Sequence, residues 1–167
     1  GSYYQIIDLY TLFYLHYVKG TSLTAKQHWT SIANSSSVAA WMGNTFEMLG
    51  IMHIDQMQRV LGFSSVACDY STWRADAEDG KRSAQIDLVI DRNDGIINLC
   101  EMKFSREEYE ITLEREQNLI NKLERFKQQM KKHSAIHLTF VTVNGVKENI
   151  HSGIVDSQVL LDDLFSR

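Results

Sequence analysis

The sequence predicts a mixed α/β domain, and three observations carry that expectation. The apolar runs Gln85-Ile86-Asp87-Leu88-Val89-Ile90-Asp91 and Ile96-Ile97-Asn98-Leu99-Cys100 flank Arg92-Asn93-Asp94-Gly95, which is the pattern of a β-hairpin. The charged stretch from about Thr112 to Lys132 places Leu119, Leu123, Phe126 and Met130 on one apolar helical stripe. Ala135 to Val143 alternates and is β-branched, so a strand follows that helix. A strand that returns through a crossover helix pairs in parallel, whereas a hairpin is antiparallel. The expected sheet is therefore mixed, with helices on its faces.

The other elements follow from local signals. Tyr3 to Lys19 reads as a helix ended by Gly20, and Thr24 to Ala33 as a shorter one. Asn34-Ser35-Ser36-Ser37 supplies N-cap candidates for one long helix from about Val38 to Leu61, with Gly62 beyond its end. Ser64 to Arg74 is a strand candidate, and Ala75 to Lys81 is a polar connector. In the charged helix Glu114 and Glu116 come early and Lys127, Lys131 and Lys132 late, which suits the helix dipole; the charges otherwise read as a solvated face. Asn144-Gly145 marks a turn, Gly153 to Leu160 adds a last strand, and Asp162 to Phe165 closes the chain. The core order is α-β-β-β-α-β.

Composition narrows the function less than the fold. A chain of 167 residues with 44% hydrophobic and 23% charged residues suits one globular domain. A formal charge of −4 argues against a protein that coats nucleic acid electrostatically, while leaving room for a local basic groove. Cys68 and Cys100 are too few for a disulfide framework and read as reduced core residues of a cytoplasmic protein. No apolar run approaches the roughly 20 residues of a membrane span, so no membrane partner is expected. The six histidines are scattered without ligand spacing.

The chemistry concentrates on Glu101-Met102-Lys103. Side chains alternate along a strand, so Glu101 and Lys103 share one face. A connection of Asn93, Asp94 and Gly95, with glycine in the left-handed position, sets Arg92 opposite Ile96. Counting back in that register places Asp87 opposite Glu101 and Gln85 opposite Lys103. Facing Cβ atoms are about 4.5–5.5 Å apart, and two facing carboxylates repel unless a cation lies between them. Hard divalent cations select carboxylate and carbonyl oxygens, so Asp87, Glu101 and the Met102 carbonyl form a candidate Mg²⁺ or Mn²⁺ set. Lys103 would orient the attacking water or stabilise charge on a phosphate, and Gln85 is a weaker candidate for substrate contact.

An acid followed fourteen residues later by Glu-x-Lys on an apolar strand resembles the PD-(D/E)xK nuclease superfamily. That resemblance implies a restriction-endonuclease-like fold, metal-dependent hydrolysis of DNA, and a further acid from the preceding helix. Glu47, in Trp41-Met42-Gly43-Asn44-Thr45-Phe46-Glu47, occupies the matching place, and Gly43 one turn earlier would let the helix approach the sheet. Ile86 stands where the superfamily name records a proline. Together with Leu161-Asp162-Asp163-Leu164-Phe165, these segments are similar to the C-terminal domain of a family of prokaryotic AAA-type ATPases. The likeness implies a P-loop ATPase domain as the N-terminal partner. No Gly-x-x-x-x-Gly-Lys-Ser/Thr pattern occurs here, so no nucleotide site is expected in this stretch. On this reading Gly1-Ser2 is a cloning remnant, residues 3–33 are a helical lead-in from that ATPase domain, and residues 34–167 are the nuclease-like domain.

Two other functions remain open at the level of sequence. One is an inactive nuclease-fold module that binds DNA or a protein, with Asp87, Glu101 and Lys103 as a buried ion-pair cluster. The other is a regulatory or oligomerisation element of the ATPase, with the apolar helix Tyr3 to Val18 as the contact of a homo-oligomer.

Overall fold

The computed structural model describes residues 6–21, 24–78, 82–130 and 134–166. The chain divides into two compact units, Gly1–Met48 and Leu49–Arg167.

The first unit is helical. Asp8 caps α1 (Leu9–Phe13) by accepting from the Thr11 amide, and the chain then loosens into a π-helical turn, Tyr14–Val18. Gly20 follows with φ +83°. The expected helix from Tyr3 to Lys19 is thus shorter and changes winding halfway, while its residues 3–5 lie outside the described residues. Thr24 caps α2 (Ala25–Ile32). Phe13, Tyr17, Trp29 and Trp41 of α3 (Ser36–Met52) form an aromatic cluster with ring centroids 5.3–6.0 Å apart, mostly edge to face.

The long helix expected from Val38 to Leu61 is two helices. α3 ends at Met52, and α4 spans Ile54–Val60. His53 leaves the helical conformation, with φ −116° and ψ 31°. The imidazole explains the break, because its Nδ1 lies 2.9 Å from the Leu49 carbonyl that the His53 amide would otherwise engage. That amide donates to Gly50 instead, at 3.1 Å. Side-chain competition of this kind is invisible to apolar periodicity.

The second unit is built on one five-stranded mixed sheet in the order β1 (Cys68–Ala75), β2 (Ala84–Arg92), β3 (Ile96–Lys103), β4 (Ala135–Thr142), β5 (Ser157–Leu160). β1, β2 and β3 pair antiparallel; β4 and β5 add in parallel after the crossover helix α5 (Leu113–Gln129). The α/β class and the core order match the sequence expectation. β1 begins later than Ser64 because the Val66 amide turns back to the Phe63 carbonyl. The last strand is shortened by a 3₁₀ turn at Ser152–Ile154.

Alternation assigns the two faces. Ile97 and Leu99 of β3 join Ile86, Val89, Leu138 and Phe140 in a core closed by Leu119 and Phe126 of α5. Complete burial of a side chain of that size contributes about 1.5–3 kcal/mol, so this stripe fixes α5 against the sheet. Met102 points to the opposite face, where a Cβ on Gly50 would lie 2.6 Å from its sulfur. The close approach expected at Gly43 is therefore made at Gly50, since a Cβ on Gly43 would meet nothing within 4 Å.

Candidate active site

The hairpin turn forms as its residues require. Gly95 adopts φ +87° and its amide donates to the Arg92 carbonyl, while Arg92 pairs with Asp94. The resulting ladder sets Leu88 opposite Cys100, Val89 opposite Leu99, Ile90 opposite Asn98 and Asp91 opposite Ile97. This is the register counted from the turn, and the ladder ends one step before Asp87 and Glu101.

The reason for that end lies on the other edge of β2. Its pairing with β1 slips by one between Ser71, opposite Val89, and Trp73, opposite Ile86. The extra β2 residue in this interval is a bulge, which locally twists a strand and re-aims its side chains. Asp87 sits there. Its Oδ2 accepts from the Met102 amide at 2.8 Å and from Lys103 Nζ at 3.1 Å. A carboxylate thus replaces a backbone partner at the ladder's end.

Glu101 lies one step along β3 and is 1% exposed. Lys103 Nζ stands 3.0 Å from its Oε2, and Lys122 Nζ of α5 stands 2.5 Å from its Oε1. The Oε2 contact is electrostatic rather than a formed hydrogen bond, because no donor is aligned on that buried oxygen. The Met102 carbonyl also accepts from Lys103 Nζ, at 3.1 Å. Three oxygens, from Asp87, Glu101 and Met102, therefore gather around one ammonium. Burial works against that charge, but the carboxylates of Glu101 and Asp87 outweigh it and hold the Lys103 pKa above the ordinary lysine value. Behind them, burial pushes the Cys100 thiol up, and the same two carboxylates add to the shift.

This cluster opens into a cleft of about 260 Å³ between the sheet and α5, lined by Glu101, Lys103, Tyr109, Arg115, Asn118 and Lys122 among others. Lys122 and Arg115 are site residues that the motif does not point to. Lys122 comes three residues after Leu119 and four before Phe126, so the apolar stripe itself carries it inward. The structure brings Asp87, Glu101 and Lys103 together as expected. Gln85 is exposed, pairs with Arg74 of β1, lies beyond the end of the β2–β3 ladder and is absent from the cleft lining. Glu47 is half-buried on α3 in the first unit.

All the converging donors are hard oxygens, and Glu101 Oε2 has a lone pair with no aligned hydrogen. The set fits a hard divalent cation by donor chemistry. Among the described residues, no three His, Cys, Asp or Glu side chains form a group that could hold a metal ion, so any site here draws on the Met102 carbonyl as well.

Fold and site together define a mixed α/β domain with a buried acid–lysine cluster at the floor of a cationic cleft. No family model matches the chain, and no curated protein matches it. Among solved structures it is similar to a protein of unknown function, AF1548, with 18% identity and a TM-score of 0.38. The likeness covers 64% of this chain and 55% of that one. Among the described residues no helix is long and apolar enough to cross a membrane.

Proposed function

We propose that this chain hydrolyses DNA phosphodiesters with the help of Mg²⁺ or Mn²⁺. The observation that carries the reading is the convergence of Asp87, Glu101 and the Met102 carbonyl within 3.1 Å of one cationic nitrogen, at the floor of a cationic cleft. Those oxygens would hold the ion. When bound, such an ion polarises a phosphoryl oxygen and lowers the pKa of its water.

The chain's own residues do the rest. The Met102 amide orients Asp87, and Lys122 holds Glu101 from the helix side. Lys103 lies beside both carboxylates, where its ammonium would stabilise charge on the phosphate. Such donors are typically worth about 10²–10³ in rate. A P-loop ATPase domain as N-terminal partner belongs to the same proposal, on the strength of the resemblance alone.

A second reading draws on the charge balance of the cluster. Asp87 and Glu101 are matched by Lys103 and Lys122, so the site is neutral without any metal. A binding module that has lost catalysis would look the same. Incubating a labelled DNA with the chain in Mn²⁺ or in EDTA separates the two. Metal-dependent products that vanish in Asp87→Asn and Lys103→Met support hydrolysis. Retained DNA without products in either condition, at any protein concentration, supports the binding module.

A further inference from the structure

We infer that the face of α5 toward the cleft is a phosphate subsite for a nucleic-acid strand, with Arg115 and Lys122 as its ligands. The inference rests on the nuclease reading and extends it to residues outside the acid–lysine motif.

Charge is the first argument. The chain as a whole is acidic, at −4, yet the cleft lining carries Lys103, Lys122 and Arg115. Asp87 and Glu101 match the two ammonium groups, which leaves the Arg115 guanidinium as the unmatched charge at the cleft. A cleft with an unmatched positive charge concentrates ligands of the opposite sign.

Unused donors are the second. Lys122 carries three hydrogens, its side chain is 23% exposed, and its contact with Glu101 Oε1 occupies one of them. Arg115 lays its guanidinium over the Tyr109 ring, 4.8 Å from the centroid, and gives one N–H to the Glu110 carbonyl. An exposed arginine is ordinarily free to sample many rotamers. Here ring and carbonyl order it in advance and leave the rest of its donor fork for a phosphate. Arg115, Asn118 and Lys122 follow helical spacing, so one face of α5 presents all three to the cleft.

The cleft has a volume of about 260 Å³ and is open to solvent along one side. It suits one phosphate–sugar unit of a polymer whose remainder lies outside, next to the phosphate over Lys103.

The test is fluorescence anisotropy of a labelled oligodeoxynucleotide with the whole chain in EDTA, so that nothing is cut. Arg115→Gln and Lys122→Gln are each expected to weaken binding about tenfold, the scale of a hydrogen bond to a charged group. Each is also expected to lower the salt slope by about one. Lys127→Gln, exposed on the same helix but outside the cleft lining, should leave both unchanged. Because Lys122 partners a buried carboxylate, exposed Arg115 keeps the test decisive if the Lys122 variant fails to fold. Wild-type affinity and slope in folded Arg115→Gln, or no binding by the wild-type chain, would overturn the subsite. Strand binding that depends on Arg115 in a chain that neither binds Mn²⁺ nor cuts DNA keeps the subsite and removes hydrolysis. DNA cleavage by a folded Arg115→Gln chain of undiminished strand affinity does the reverse.

Discussion

Lys122 on α5 donates to Glu101 on β3 at 2.5 Å, joining the helical layer to the floor of the cleft through a carboxylate that is 1% exposed. A divalent ion drawn to Glu101 meets this ammonium as a competitor for the same oxygens. Removing one partner of a buried ion pair strands the other, at a cost of about 3–5 kcal/mol when nothing else compensates. Lys103 still faces Glu101, so Lys122→Met should lower stability by less, about 1–3 kcal/mol. The same variant should gain more from Mn²⁺ than the wild type does. Thermal melts with and without Mn²⁺ check this, and an equal or smaller metal-induced rise in Tm in the variant would contradict the competition.

Alkaline pH should weaken the fold in two steps. Lys103 and Cys100 both hold their protons more tightly in the folded chain than in the unfolded one. As pH rises the unfolded chain gives up each proton first, so their contribution is complete below the unfolded pKa values and lost above them. Those values are about 8.5 for the thiol and about 10.4 for the ammonium. Urea midpoints should therefore begin to fall near pH 8.5 and fall more steeply past pH 10. Cys100→Ala should lose the first limb and keep the second; an unchanged first limb would mean that another group titrates there.

Gly50 of α3 packs directly on Met102 of β3. A Cβ there would lie 2.6 Å from the Met102 sulfur, and Met102 is the residue whose amide orients Asp87. The thioether end is flexible, so Gly50→Ala should cost about 1 kcal/mol, the low end of overpacking. Gly50→Ala combined with Met102→Val should lose less than the sum of the single losses, because neighbours that share a clash are not additive. Chemical denaturation of the four proteins measures the coupling, and simple additivity would place the clash elsewhere.

The parts of this molecule that are legible in its sequence are those fixed by local geometry. Asn93-Asp94-Gly95 determines its own turn, and the turn sets the β2–β3 register, so the ladder from Asp91–Ile97 to Leu88–Cys100 follows from counting residues back from Gly95 and ends one step before Asp87 and Glu101. Apolar periodicity locates α5 and the alternating β4, and with them the mixed sheet. What stays hidden depends on side chains acting out of pattern. The bulge beside Asp87 arises from a slip against β1, and no turn announces it. The helix break at His53 comes from an imidazole competing for one carbonyl. Lys122 reads as part of a solvated face because a charged residue on an apolar stripe is ordinarily assigned to its edge; the buried Glu101 opposite is what draws it in.

The central claim is that Asp87 and Glu101 form one divalent-cation site, and anomalous scattering from crystals soaked in Mn²⁺ tests it most directly. The account predicts a peak within about 2.0–2.6 Å of oxygens from both residues, with the Met102 carbonyl in or beside the coordination shell and the Lys103 ammonium moved aside. Lys103 and Lys122 remaining on both carboxylates at saturating Mn²⁺, with no peak between Asp87 and Glu101, would contradict it.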